Sequence, residues 1–171
     1  MILLRHGQSE FNLHFTAHRR DPGIADPRLT PLGEALVAHA AAALAGVGLR
    51  RIIASPYTRA LQTAMPLARA LGVAVSVTPV VRERYAFSCD VGTPRTRLER
   101  AWPELDFTAV EEVWWPAEEE PSESLHDRAA RFRAEMAARP DWSETLVVSH
   151  WGFILALTGE SIGNGEWRRC G

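Results

Sequence analysis

Apolar positions along this chain fall into short continuous runs that alternate with longer stripes at helical spacing. Met1 to Arg5 opens with an unbroken apolar run, the pattern of a strand buried on both faces. A polar loop carrying Asp21-Pro22-Gly23 and Asp26-Pro27 follows. Thr30-Pro31 reads as an N-cap with proline at the first helical position. Leu32, Leu36, Ala40 and Leu44 then recur every four residues as one helical stripe, and Gly46 and Gly48 end it. Arg51 to Ala54 predicts a second strand. Ser55-Pro56 repeats the cap signature, Leu61, Ala64, Ala68 and Leu71 mark the next buried face, and Gly72 stops that helix. Val73, Val75 and Val77 alternate as a third strand. Residues 82 to 120 are irregular, cap-like and rich in Arg, Pro and Trp. Ser124 with Asp127 resembles a capping box, and Leu125, Ala129, Phe132 and Met136 line a long helix. Thr145 to Ser149 predicts another buried strand, and Trp151 to Leu157 a short helix closed by Gly159.

Strands alternating with helices imply an α/β fold, three layers deep, with a mostly parallel central sheet covered on both faces. A length of 171 residues fits a single domain over 1–171. Hydrophobic residues make up 46% and charged residues 23%, which is globular composition. No apolar run approaches the roughly 20 residues of a membrane helix, and no secretory leader opens the chain. The two cysteines, Cys89 and Cys170, have no short-spaced partner, which points away from structural zinc or a disulfide framework and toward a reducing, cytoplasmic setting.

The net charge of −2 gives no reason to expect nucleic acid or a membrane as partner. Its distribution is uneven. Residues 1–100 hold 13 arginines against 7 acids, and residues 101–171 hold 6 against 14. No lysine is present, which excludes Schiff-base and P-loop chemistry.

Ligands of parallel sheets bind beyond the carboxyl ends of the strands. That rule selects Arg5-His6-Gly7 after the first strand, Ser55 and then Arg59 after the second, and Ser149-His150 after the late one. Two arginines and two histidines thus share one rim. Arg5 and Arg59 can each fork two hydrogen bonds onto phosphate oxygens. Arg59 in the first turn of its helix and the helix that starts at Trp151 add positive helix ends. Charge neutralisation by arginine and histidine calls for no metal and no cofactor. A neutral histidine can attack phosphorus, and a carboxylic acid must then protonate the leaving oxygen. Glu83, just after the third strand, is the best-placed acid; Glu10 is its rival.

Six ordered blocks carry a family resemblance. Leu4-Arg5-His6-Gly7-Gln8-Ser9-Glu10-Phe11-Asn12 resembles the opening signature of the histidine phosphatase superfamily, which includes the cofactor-dependent phosphoglycerate mutases. Leu29-Thr30-Pro31-Leu32-Gly33 resembles its LTxxG, Ser55 to Ala64 its SPLxRAxQTA, and Glu83-Arg84-Tyr85 its ERxYG. Glu123-Ser124 with Arg128 resembles its ES…R, and Val147 to His150 its VVSHG. The resemblance implies a phosphoglycerate mutase-like fold and a phosphohistidine mechanism. It makes His6 the nucleophile, has Arg5, Arg59 and His150 hold the phosphoryl group, and makes Glu83 the acid and then the base. Gln8, Asn12 and Arg84 match positions that line the substrate site.

Three departures stand out. Gln8 replaces the commoner Glu, Ala86 stands where Gly is frequent, and Trp151 replaces the Gly after the second histidine, narrowing the substrate pocket. The 67-residue separation of His150 from Glu83 makes a shorter middle region than the mutases have. The expected function is therefore a metal-independent phosphomonoesterase acting on a small phosphorylated metabolite. A phosphoglycerate-type mutase and a non-catalytic phospho-ligand binder are the alternatives. Oligomeric state stays open, with a homodimer among the options. Glu118-Glu119-Glu120 reads as an exposed acidic edge. Arg82, Arg84, Arg95, Arg97 and Arg100 read either as a second anion-recognition group or as a solvated set. His14, His18, His39 and His126 read as surface residues, and most of Trp102, Trp114, Trp115 and Trp142 as core packing.

Overall fold

The computed structural model describes residues 1–170. Five strands form one sheet: β1 (Ile2–Arg5), β2 (Arg51–Ala54), β3 (Ala74–Val77), β4 (Thr145–Ser149) and β5 (Trp167–Arg169). Their order is β3-β2-β4-β1-β5. The first four run parallel, and β5 pairs antiparallel with β1. Arg5 stands opposite Ser149, and Ala54 opposite Val148, so β1, β4 and β2 end together at one rim.

Six α-helices lie among the described residues: α1 (Glu10–His18), α2 (Pro31–Leu44), α3 (Thr58–Leu71), α4 (Arg95–Ala101), α5 (Ser122–Ala137) and α6 (Trp151–Thr158). The pleat of the sheet sorts its side chains between two cores. Ile2, Leu4, Ile52, Ala54, Leu146 and Val148 meet α2 and α3 through Val37, Ala40, Leu44, Leu61 and Ala64. Leu3 and Val147 meet α5 and α6 through Leu125, Phe132, Phe153 and Ile154. These two faces make the α/β/α layering, and none of the described helices is long and apolar enough to cross a membrane.

Several elements differ from the sequence expectations. The buried face of α2 is Gly33, Val37, Ala40 and Leu44, while Leu32 is exposed. A line at strict spacing four drifts around a 3.6-residue helix, and the core follows the mixed spacing instead. α1 occupies part of the expected polar loop. It buries only Phe11, so no stripe announces it, and a capping box between Ser9 and Asn12 starts it. The capping box expected at Ser124 does not form, because α5 begins two residues earlier, at Ser122 after Pro121. The segment 82–120 contains α4, whose Leu98 joins the first core. Glu120 is not on an exposed edge; it is buried against Arg128 and Arg82. Trp114 is core, and Trp102, Trp115 and Trp142 pack onto the cores. The four outlying histidines are exposed.

Candidate active site

The loop after β1 is held by backbone contacts that only glycine permits. A Cβ on Gly7 would lie 2.5 Å from the Gly33 carbonyl oxygen, so two chain segments pass back to back. Gly7 N–H donates to Thr63 Oγ1 at 3.1 Å, and Leu29 N–H donates to Gln62 Oε1 at 2.8 Å. α3 thereby pins both segments. His6 N–H extends the β1–β4 ladder by donating to the Ser149 carbonyl at 3.0 Å. His6 Nδ1 lies 2.7 Å from the Gly7 carbonyl. A carbonyl only accepts, so Nδ1 carries the proton and Nε2 keeps its lone pair.

His150 is fully buried as the N-cap residue of α6, with its ring 5.0 Å from that of His6. Neither of its ring nitrogens has a hydrogen-bond partner among the described residues, and the same holds for buried Arg5 Nε. Such orphans cost about 1–3 kcal/mol each, a cost that a ligand oxygen would relieve. Arg5 is steered by donating from Nη1 to the Ile162 carbonyl at 3.0 Å. Arg59 is buried, donates to the Cys89 carbonyl at 2.8 Å and to Asp90 at 3.2 Å, and lies over the Tyr57 ring. Asp90 also accepts from Ala86 and Phe87 N–H, so one carboxylate fixes both the arginine and the 86–90 turn. Burial, then the Arg59 and Arg5 guanidiniums, hold the His6 imidazole well below its ordinary pKa. Burial and Arg59 do the same for His150. Both rings are therefore neutral.

Glu83 is half-buried, and its carboxylate accepts from Arg84 N–H at 2.9 Å and from Gly152 N–H in the first turn of α6 at 3.2 Å. A Cβ on Gly152 would sit 2.5 Å from Glu83 Oε1, so glycine leaves the room this carboxyl occupies. Burial, reinforced by Asp90, raises the Glu83 pKa despite those two donors. Its loop is clamped from behind. Arg128 donates to the Val80 and Arg82 carbonyls and forks onto Glu120 at 3.0 and 2.6 Å, while Arg82 adds 3.1 Å to the same carboxylate.

A cleft of about 430 Å³ opens at this rim. Arg5, His6, Arg59 and Glu83 line it, together with Asn12, Arg84 and Trp151. His150 sits one layer behind His6 and outside the lining. Gln8 is not brought to the cleft either: its side chain accepts from the Thr30 hydroxyl at 2.8 Å. Glu10, the rival acid, is exposed and accepts from Arg28 N–H. Of the expected arginine group, Arg82, Arg84 and Arg95 are spent in ion pairs with Glu120, Glu119 and Glu99. Sequence reasoning missed Asp90, Gly152, Asn164 and the ring cluster of Phe11, Phe15 and Phe87. Asn164 bridges the loops by donating to the His6 carbonyl and to Asn12 Oδ1.

The sequence profile of the histidine phosphatase superfamily (branch 1) matches residues 1–169. The chain belongs to that superfamily. A glucosyl-3-phosphoglycerate phosphatase of Mycolicibacterium vanbaalenii is 30% identical over 178 aligned residues, which cover 95% of this chain and 74% of that one. A probable phosphoglycerate mutase, GpmB, of an Enterobacter species is 30% identical with the same coverage. Among solved structures, "Mycobacterial hydrolase 1" superposes with a TM-score of 0.70 at 26% identity, over 98% of this chain and 86% of that one. The native structure of a mycobacterial glucosyl-3-phosphoglycerate phosphatase gives 0.67 at 25%, over 98% and 87%. This superfamily member gathers its motif blocks physically: the LTxxG-like block supplies the Gly33 contact, and the SPYTRALQTA block supplies Arg59, Gln62 and Thr63.

Proposed function

We propose that this chain is a phosphomonoesterase that works through a phosphohistidine on His6, with a small phosphorylated metabolite as substrate. The observation that carries this reading is the His6 ring: Nδ1–H is tied to the Gly7 carbonyl, and neutral Nε2 is left beside two arginines in an open cleft. In the first step Nε2 attacks phosphorus, the bond to the leaving oxygen breaks, and Glu83 gives that oxygen its proton. In the second, water attacks phosphorus and gives its proton to Glu83, the P–N bond breaks, and inorganic phosphate departs. Arg5 and Arg59 flank the phosphoryl oxygens with positive charge that is already in place, and neutral His150 packs against the His6 ring with both of its nitrogens unpartnered, in reach of the group only if the buried site opens by a small shift. The raised Glu83 pKa suits a group that must hold a proton and later take one.

The test is turnover of an aryl phosphate in the presence of a chelator, with rapid-quench trapping of the phosphoenzyme. Turnover and a trapped acid-labile phosphoprotein are expected, and His6→Ala should lose at least about 10⁴-fold in kcat. Unchanged turnover in that variant would sink the reading. The 30% identity to a probable phosphoglycerate mutase favours one second reading, transfer of the phosphoryl group back to a bound acid-alcohol. Isomerisation of 3-phosphoglycerate without release of phosphate would select it.

A further inference from the structure

One side of the cleft carries a cluster of aromatic rings. Phe11 stacks on Phe15 at 5.2 Å, and Phe87 packs against both at 5.7 and 5.2 Å, so one wall is a continuous aromatic surface. Phe87 remains 42% exposed and Trp151 45% exposed, both at the cleft. Large apolar surface left in water at the mouth of a pocket gains when a ligand covers it.

Several of the polar groups around that mouth are engaged within the protein. Arg84 donates to Glu119 Oε1 and to the Glu120 carbonyl. Asn12 Oδ1 accepts from Ser9 and Asn164. The Trp151 indole N–H donates to Ser161 at 2.8 Å, which leaves only its ring to face a ligand. A leaving group rich in hydroxyls or carboxylates would have to break these bonds before being read. Arg19 also lines the cleft and has no ion-pair partner among the described residues.

We propose that the leaving group is apolar and ring-bearing, and that Phe15, Phe87 and Trp151 select it. This rests on the phosphomonoesterase reading for its chemistry but is testable apart from it. The probes are paired to hold leaving-group acidity constant: 2-phenylethyl phosphate against ethyl phosphate for turnover, and the matching phosphonates for binding by calorimetry. We expect kcat/KM and affinity both to favour the phenyl member by at least about tenfold. That ratio should collapse several-fold in Phe87→Ser, whose side chain is exposed enough to leave the fold intact, and in Phe15→Ala. A phosphonate ratio near one, or a ratio unmoved in both variants, overturns the proposal. So does a kcat/KM for 3-phosphoglycerate above that for 2-phenylethyl phosphate which is lost in Arg19→Ala. Absence of any turnover alongside a retained phenyl preference in binding would defeat the phosphohistidine reading and uphold this one.

Discussion

The two ends of the cleft are built on opposite rules. At the phosphate end, side chains from the tips of β1 and β4, the start of α3 and the loop after β3 converge, and backbone bonds hold them. Polar atoms there lack partners, notably Arg5 Nε and both nitrogens of His150. At the mouth Arg84 and the Trp151 indole N–H are bonded within the protein, and apolar rings stand in water. An end with unsatisfied donors is prepared for an anion; an end with unsatisfied apolar surface is prepared for a ring. Mutations should therefore separate chemistry from selection.

The largest separation is expected from Glu83→Gln. The amide cannot supply a proton, so kcat for 2-phenylethyl phosphate should fall by about 10²–10⁴. The loss should be smaller for an aryl phosphate, whose leaving oxygen needs less help, while binding of phenylethyl phosphonate keeps its phenyl preference. Equal losses for the two ester types in steady-state kinetics would remove Glu83 from the acid role.

Arg128→Ala acts from behind the same end. It leaves Glu120, 4% exposed, with Arg82 as its remaining ion-pair partner, and it frees the Val80 and Arg82 carbonyls. Breaking a buried pair of this kind costs about 3 kcal/mol. Urea unfolding should show that loss, and kcat for the alkyl ester should drop further than its KM rises, because the Glu83 loop loosens. Arg128→Lys keeps the charge without the fork and should recover only part of both. A stability within experimental error of the unaltered protein would mean that the clamp is decorative.

Much of the phosphate end was legible in the sequence because its residues follow strands whose apolar runs are unmistakable. Ile2 to Leu4 and Leu146 to Val148 are fully buried, and the rule that ligands sit past strand ends then pointed to Arg5, His6, Arg59 and His150. Which histidine attacks was not legible from the pattern. What bears on it is one carbonyl, that of Gly7, which sets the His6 tautomer and leaves Nε2 with its lone pair. The mouth was nearly invisible. α1 buries a single residue, so it has no period to read, and Phe87 belongs to a turn organised by Asp90 from three residues away. Glu118, Glu119 and Glu120 look alike in sequence; contact with Arg128 and Arg82, far along the chain, decides that Glu120 is interior. Gln8 next to the motif faces Thr30 because the Gly7–Gly33 contact fixes the direction of the loop.

The most gradual expected effect is the dependence on acid, which should be confined to the phosphate end. Native His6 and His150 have pKa values below the unfolded value of about 6.5, through burial and then Arg59. Below that pH the unfolded chain binds more protons than the native one, so stability is lost as pH falls from about 6.5 through the native values; above it nothing is lost. Each histidine contributes a slope of up to about 1.4 kcal/mol per pH unit. Glu83 works the other way. Its raised native pKa keeps a proton that the unfolded chain releases, so it adds stability as pH falls through the raised value toward about 4.3 and offsets part of the slope. Urea unfolding between about pH 6.5 and 4.5 should show a net decline that His150→Gln makes shallower. Inorganic phosphate, by favouring the charged imidazoles, should flatten it as well. The phenyl preference in phosphonate binding, measured over the same range, should stay constant because ring-on-ring burial carries no charge and both phosphonates of a pair titrate alike. A decline unaltered by His150→Gln, or a phenyl preference that tracks pH, would erase the division between a charged end and an apolar one.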